Sequence, residues 1–374
     1  MNRRHFGWLI AGAVASRALP SLLFSAQTAD EVSKFSPQAE ELYQGSLALD
    51  CNSAPPLEET LPLPQAKLDV ARSSGVRVVK TTLGGFNEDF ASTVEEIAFV
   101  QRLIETHPDY FLQVRVPEDM ERARREKKMG IIFSFEGVDM LDGKIERIEI
   151  FRNLGVRVMQ LSYNHRSPFG SGVLEPKGGL TPLGHEAVKK MNQLGVAVDL
   201  SHSNPETTAD AMAASAKPVI ISHAGCSAIH PHPRNKTDEQ IRALAARGGV
   251  MGIYDLPYLA PSPKQPTLED YMAHLDHALK VAGEDHVGVG SDVPVSPMNT
   301  SPQALTEFKK AQEARVKAGV AAPEEDRYPY VVGLNTPRRL EVIADQLLKR
   351  GYPPRVAEKV IGSNFARVLR EIWT

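Results

Sequence analysis

The chain has 374 residues, 42% of them hydrophobic and 24% charged, an ordinary balance for a soluble globular protein of one large α/β domain or two smaller ones. Its 43 Lys and Arg nearly match 46 Asp and Glu, giving a formal net charge of −3 with no long run of one sign. That argues against a nucleic-acid-binding surface, which shows as a basic excess or stripe.

The N-terminus differs in kind from the rest. Asn2-Arg3-Arg4-His5-Phe6 carries paired arginines ahead of a weakly apolar stretch, Trp8 to Phe24, which Arg17 and Pro20 interrupt. Small residues follow at Ser25–Ala29. Residues 1–29 are expected to be a twin-arginine export signal cleaved near Ala26 or Ala29, an uncleaved amphipathic anchor being the alternative. The apolar run is too broken to cross ~30 Å of hydrocarbon. Residues 30–374 are expected to form a single domain, since no composition shift divides them.

Eight short apolar segments then predict strands: Ser46–Asp50, Val76–Thr82, Gly130–Phe135, Val156–Leu161, Val196–Ser201, Pro218–Ser222, Gly249–Tyr254 and His286–Ser291. Their near-continuous apolar character suits strands buried on both faces of a parallel sheet. Helical spacing runs through Ser92–Thr106, Pro182–Leu194, Pro205–Ala214, Thr237–Arg247 and Leu268–Ala282. Thr237–Gln240 reads as a capping box, and Gly195 and Gly248 as C-cap residues. Thr336–Arg350, Pro353–Ile361 and Asn364–Trp373 predict further helices packed outside the sheet. The expectation is an α/β fold, a (β/α)8 TIM barrel with extra C-terminal helices. A doubly wound open sheet is the runner-up, but it would gather its site at one switch point.

Four polar residues close strand segments: Glu136, His202, His223 and Asp292. Only a closed barrel brings the ends of strands three, five, six and eight together. His202, His223 and Glu136 are candidate zinc ligands that leave one position open, with satisfied core histidines as the alternative. Asp292 is a candidate general base, or else caps its loop. Arg234, in His230-Pro231-His232-Pro233-Arg234-Asn235, can clasp a carboxylate bidentately or brace the loop by a salt bridge. His230 and His232 fit loop hydrogen bonding better than metal. Tyr163 and Asn164 are candidate substrate contacts after strand four, on a rim made flexible by Gly170-Ser171-Gly172. Tyr163 suits a donor to a carbonyl as well as a packed aromatic. No G-x-G-x-x-G or G-K-[ST] signature supports nucleotide binding. Alternation along the first strand puts Asp50, Asn52 and Ala54 on one face and turns Cys51 toward the helical layer. Cys51 and Cys226 read as two buried thiols ahead of a disulfide or a thiolate ligand.

Several stretches together resemble the membrane dipeptidase (renal dipeptidase) family of amidohydrolase-like barrels, from about Asp50 to Trp373. They are Gly179–Gly184, Met191–Gly195, Val198–His202, Ser222-His223, His232–Asn235, Gly290–Asp292 and Gly362–Phe365. The resemblance implies a binuclear zinc site that cleaves dipeptides, often with a D-residue on the C-terminal side, in proteins that are commonly dimers. It implies that Glu136 bridges the metals, His202 and His223 hold one of them, Asp292 is the acid/base and Arg234 binds the substrate carboxylate. The family's other metal is held by a His-x-Asp pair ending strand one, where this chain has Asn52 and Ala54. That second site is degenerate, so one Zn2+ per chain is expected, with lower or narrower activity. Tyr163 also stands where animal members carry a substrate-facing His. The expected function is an exported, periplasmic metal-dependent hydrolase of a dipeptide or N-acyl amino acid with a free carboxylate. The alternative is a barrel repurposed for non-hydrolytic chemistry on a peptide-like metabolite, or for binding it.

Overall fold

Among the described residues nine strands run parallel to their neighbours: β1 (Leu49–Asp50), β2 (Val78–Thr82), β3 (Phe111–Gln113), β4 (Met129–Phe135), β5 (Val156–Gln160), β6 (Ala197–Asp199), β7 (Ile220–Ala224), β8 (Val250–Ile253) and β9 (Val287–Val289). The computed structural model describes residues 34–85, 88–317, 319 and 321–374, so the export signal expected over residues 1–29 lies outside the described residues. Eight strands, in the order β1-β2-β4-β5-β6-β7-β8-β9, form a nearly closed (β/α)8 barrel with interleaved helices and extra C-terminal helices. β9 returns beside β1: Cys51 N–H donates to Val289 O at 2.9 Å and Asp292 N–H to Asn52 O at 2.7 Å.

β3 has no counterpart among the expected strands. β4 is long enough for Met129–Ile131 to pair with β3 and Phe133–Phe135 with β5, while β2 runs along its other edge. A three-residue strand is too short to show a period.

The expected helices Pro182–Leu194, Pro205–Ala214 and Leu268–Ala282 have the observed bounds. Their starts are chemically marked by Thr181, Asn204 and Thr267, whose side chains accept the first free N–H groups. Thr237 and Gln240 form the reciprocal capping box, and Gly195 ends its helix at φ 62°, a conformation costly for residues with a Cβ. Helix Pro117–Glu126 escaped sequence reading because its inward side is only Pro117, Met120 and Ala123 among charges.

The last helix corrects an expectation. Asn364–Trp373 does not simply lie outside the barrel: Phe365, Val368, Leu369 and Ile372 join Leu49, Val78, Ile132, Val158, Ala197, Ile220 and Val250 in one buried cluster. It closes the end opposite the site, where the Phe365 ring leaves Gly288 no room for a Cβ (2.5 Å). Cys51 belongs to the same cluster and faces the barrel interior, toward Lys80 and Asp199, instead of the helical layer. Leu47, Leu49 and Cys51 share that cluster at every second residue, so alternation holds and the inward face is the odd-numbered one. Beyond β1 the Asp50 Oδ1 accepts the Asn52 N–H at 3.2 Å and turns the chain, which brings Asn52 to the carboxylates. Both cysteines are free and buried. Among the described residues no helix is long and apolar enough to cross a membrane.

Candidate metal centre

Glu136 follows β4, His202 follows the β6 end, and His223 lies within β7. Their ligand atoms all fall within 4.8 Å of one another, and all three side chains are buried. His202 Nδ1 lies 2.8 Å from Asn164 Oδ1, which can only accept, so Nδ1 carries the ring hydrogen. His223 Nδ1 lies 2.8 Å from Ser222 Oγ, whose own hydrogen goes to Asp199 Oδ2 at 2.5 Å, so this Nδ1 is also the donor. Both Nε2 atoms therefore present lone pairs, and they face each other at 3.1 Å. Two lone pairs at that distance repel unless a cation lies against both. Burial, reinforced by the Arg234 charge, pushes both imidazoles well below their ordinary range and keeps them neutral, as metal ligation requires.

The two carboxylates are arranged to complement this pair. Glu136 Oε1 accepts from Asn52 Nδ2 at 2.9 Å and Thr82 Oγ1 at 2.8 Å. That leaves Oε2, 3.7 Å from His202 Nε2, as the free donor atom of a set of two imidazoles and one carboxylate, a combination well suited to zinc. Asp292 Oδ1 accepts from Asn52 Nδ2 at 2.7 Å. Its Oδ2 has no hydrogen-bond partner among the described residues and lies 3.9 Å from His223 Nε2. Burial, then the Glu136 charge, raises the Asp292 carboxyl well above the usual carboxylate range. Asn52 thus ties one oxygen of each carboxylate and leaves the other facing the imidazoles. Ala54 offers only backbone, its carbonyl accepting the Val295 N–H at 2.9 Å.

Arg234 lies at the same place. It is 2% exposed, and its Nε and Nη2 have no partner among the described residues. Nη1 lies 3.2 Å from His202 Nδ1, but that nitrogen's hydrogen is already given to Asn164, so donor meets donor. A buried guanidinium with unfilled donors is costly alone and receptive to an anion. Tyr163 stacks on the His202 ring at 4.2 Å between centroids.

The remaining candidates sort cleanly. His230 Nε2 meets Glu324 Oε2 at 3.2 Å and His232 Nε2 meets Pro323 O at 2.7 Å, the loop bonding expected of both. Gly172 serves close approach rather than a flexible rim: a Cβ there would come within 1.9 Å of Tyr163 O. Sequence reading missed Thr82, although a polar residue ending strand two was a visible signal. It also missed Lys236, whose Nζ donates to Leu200 O at 3.1 Å and Ser203 O at 3.0 Å, either side of His202. Burial pushes that ammonium down to about 7.

A (β/α)8 barrel whose strand-end His, His and Glu converge beside a carboxylate and an unfilled arginine defines the class: an amidohydrolase-like metal barrel. The family model for membrane dipeptidase, peptidase family M19, matches residues 58–314, and the chain belongs to that family. Dipeptidase tcpJ of Claviceps purpurea (strain 20.1) is 30% identical over 284 residues, covering 75% of this chain and 60% of that protein. The chain therefore spans about 60% of that relative's length. An uncharacterized protein from the pqqA 5′ region of Klebsiella pneumoniae is 28% identical over 290 residues, 75% of this chain and 95% of that one. Among solved structures, an amidohydrolase from Pseudomonas aeruginosa aligns at TM-score 0.78 with 30% identity, covering 90% of this chain and 99% of the other. A metallopeptidase from Rhodobacter sphaeroides, solved with a phosphinate mimic of L-Ala-D-Ala, shares the fold at TM-score 0.70 and 18% identity, over 87% of this chain and 99% of the other.

Proposed function

We propose that the chain is a dipeptidase-type hydrolase using one zinc ion on a dipeptide or N-acyl amino acid with a free carboxylate. The observation that carries this is the pair of facing Nε2 lone pairs beside Glu136 Oε2, with Asp292 Oδ2 and the unfilled Arg234 donors at their edge. Zinc held by Glu136, His202 and His223 would supply the Lewis acidity that makes water a nucleophile near neutral pH.

The protein's own groups do the rest. Arg234 binds the substrate carboxylate with its free donors, which aligns the scissile bond with the metal centre. Asp292 Oδ2 accepts the proton of the attacking water and returns it to the leaving amine. Asn52 restricts that role to one oxygen by occupying Oδ1. Asp292 acts in this role in its ionised form; burial and then the Glu136 charge oppose that form, and the Arg234 and Lys80 charges and the Asn52 hydrogen bond favour it. Tyr163, stacked on His202, and Asn164, bonded to the same ring, are the proposed substrate contacts. Asn52 also supports a count of one ion. Its amide donates hydrogens to both carboxylates, so residue 52 would offer a second cation no ligand atom on that side.

Metal analysis and turnover on a panel of dipeptides and N-acyl amino acids test this reading. About one zinc per chain is expected, with Asp292→Asn abolishing turnover while zinc is retained. A metal-free chain that still binds such ligands would overturn hydrolysis in favour of binding. We also propose twin-arginine export of the folded protein, tested by Arg3→Lys with Arg4→Lys, which should hold a full-length fusion in the cytoplasm.

A further inference from the structure

Two buried aspartates repeat one hydrogen-bond device on the barrel rim. Asp199, the last residue of β6, accepts at Oδ1 the N–H of Ser201 (3.1 Å), two residues on, and the N–H of Ser222 on neighbouring β7 (3.1 Å). Its Oδ2 accepts the Ser222 hydroxyl at 2.5 Å. Asp50, the last residue of β1, accepts at Oδ1 the N–H of Asn52 (3.2 Å), two residues on, and the N–H of Ser291 after neighbouring β9 (2.9 Å). Its Oδ2 accepts the Ser291 hydroxyl, again at 2.5 Å. In each case the residue after the serine belongs to the site, His223 in one and Asp292 in the other.

We propose that Asp199 and Asp50 are positioning residues with separable duties, Asp199 setting the His223 tautomer through Ser222 and Asp50 setting the Asp292 backbone through Ser291. The proposal rests on the zinc reading for what the positioned groups do. The first link follows from counting hydrogens. With the Ser222 proton committed to Asp199, the only bond available across the 2.8 Å between Ser222 Oγ and His223 Nδ1 is donation by the imidazole. Nε2 is left bare for the metal. An asparagine at 199 whose Oδ1 keeps the two N–H groups turns an NH2 toward Ser222. The hydroxyl then donates to His223 Nδ1, moving the ring hydrogen to Nε2, where it blocks ligation. Lys80 Nζ, 3.7 Å from Asp199 Oδ2 and fully buried, is the counter-charge.

The second link concerns backbone. Asp292 has φ 59°, a left-handed conformation that crowds a Cβ against the following carbonyl. It is held from both sides: Ser291 by Asp50, and the following carbonyls of Val293 and Pro294 by Arg339 at 3.3 and 2.7 Å. An asparagine at 50 keeps the Ser291 N–H on Oδ1 but turns an NH2 against the Ser291 hydroxyl, which displaces that side chain and with it Asp292 Oδ2 from the metal centre.

Zinc affinity measured by chelator competition, kcat and KM separate the two duties. Asp199→Asn should weaken zinc binding roughly 10- to 100-fold. Asp50→Asn should leave zinc affinity near wild type and lower kcat roughly 100-fold with little change in KM. Ser222→Ala should copy the zinc loss and Ser222→Thr, which keeps the hydroxyl, should restore it; these variants and Ser291→Ala carry the test if either aspartate variant does not fold. Zinc affinity within about twofold of wild type in folded Asp199→Asn and Ser222→Ala, against the expected loss, would overturn the first duty; equal loss of zinc in Asp50→Asn would overturn the second. Should the wild type bind no zinc, the metal reading fails by itself. Nitrogen-15 NMR of histidine-labelled apo protein then decides the tautomer: Nδ1–H at His223 in wild type, lost in Asp199→Asn, supports the relay, and an unchanged spectrum sinks it.

Discussion

His202 Nε2 and His223 Nε2 stand 3.1 Å apart, each with its ring hydrogen on the far nitrogen. By itself that proximity is a repulsion held in place by Asn164 on one side and Ser222 on the other. A cation turns the same pair into an attraction.

The native state should therefore bind zinc far better than the unfolded chain. Thermal unfolding followed against free zinc should show stabilisation growing with the logarithm of concentration, about 2.7 kcal/mol at a hundredfold excess over Kd. His202→Ala and His223→Ala should each abolish the shift. A shift that survives both variants would place the ion elsewhere.

Replacing Arg234 should split binding from stability. Arg234→Met removes the carboxylate clamp, so KM should rise roughly 100-fold with a smaller change in kcat. The same variant should unfold at a higher temperature than wild type without substrate, because a buried guanidinium with two unfilled nitrogens gives way to an apolar side chain of similar length. A fall in both KM and melting temperature would contradict the assignment.

Asn52 and Ala54 should govern metal count. Asn52→His with Ala54→Asp replaces an amide that donates to both carboxylates by two groups that accept a cation. Metal content should rise from about one to about two per chain, and dipeptide turnover should increase. Content unchanged at one would show that the neighbourhood, and not these two residues, limits the site.

Glu96 predicts a pH effect away from the centre. Burial raises its carboxyl to about 7 from an ordinary 4.5, against the opposing hydrogen bond from Gly84 N–H at 2.6 Å. The folded state thus holds a proton that the unfolded state has released. Stability from this group is full below about pH 4.5 and falls as pH rises through about 7. Glu96→Gln keeps an acceptor for Gly84 and cannot ionise. It should be more stable than wild type at pH 8, by up to about 2 kcal/mol since Glu96 keeps part of its surface in water, and the advantage should vanish by pH 5. Parallel denaturation curves at the two pH values give the comparison.

What the sequence by itself determined was the barrel and the residue types at its mouth. Strands buried on both faces must be apolar nearly throughout, so a Glu, a His or an Asp closing such a run is conspicuous, and Glu136, His202, His223 and Asp292 all meet at one place. The missing first-strand ligands were legible for the same reason, as Asn52 and Ala54. Tertiary structure alone decided what each atom does. Which face of β1 turned inward was one such matter: Leu47, Leu49 and Cys51 took the interior, and the turn Asp50 makes with its own carboxylate carried Asn52 to the mouth beyond them. The partners that choose the His202 tautomer and divide the carboxylate oxygens lie far off in sequence, Asn164 being 38 residues from His202 and Asn52 84 from Glu136 and 240 from Asp292. Even Ser222 beside His223 takes its direction from Asp199, 23 residues away. Hydrogen bonds made across a closed barrel leave no periodic trace in the chain, since they depend on which strand ends the fold brings within about 3 Å.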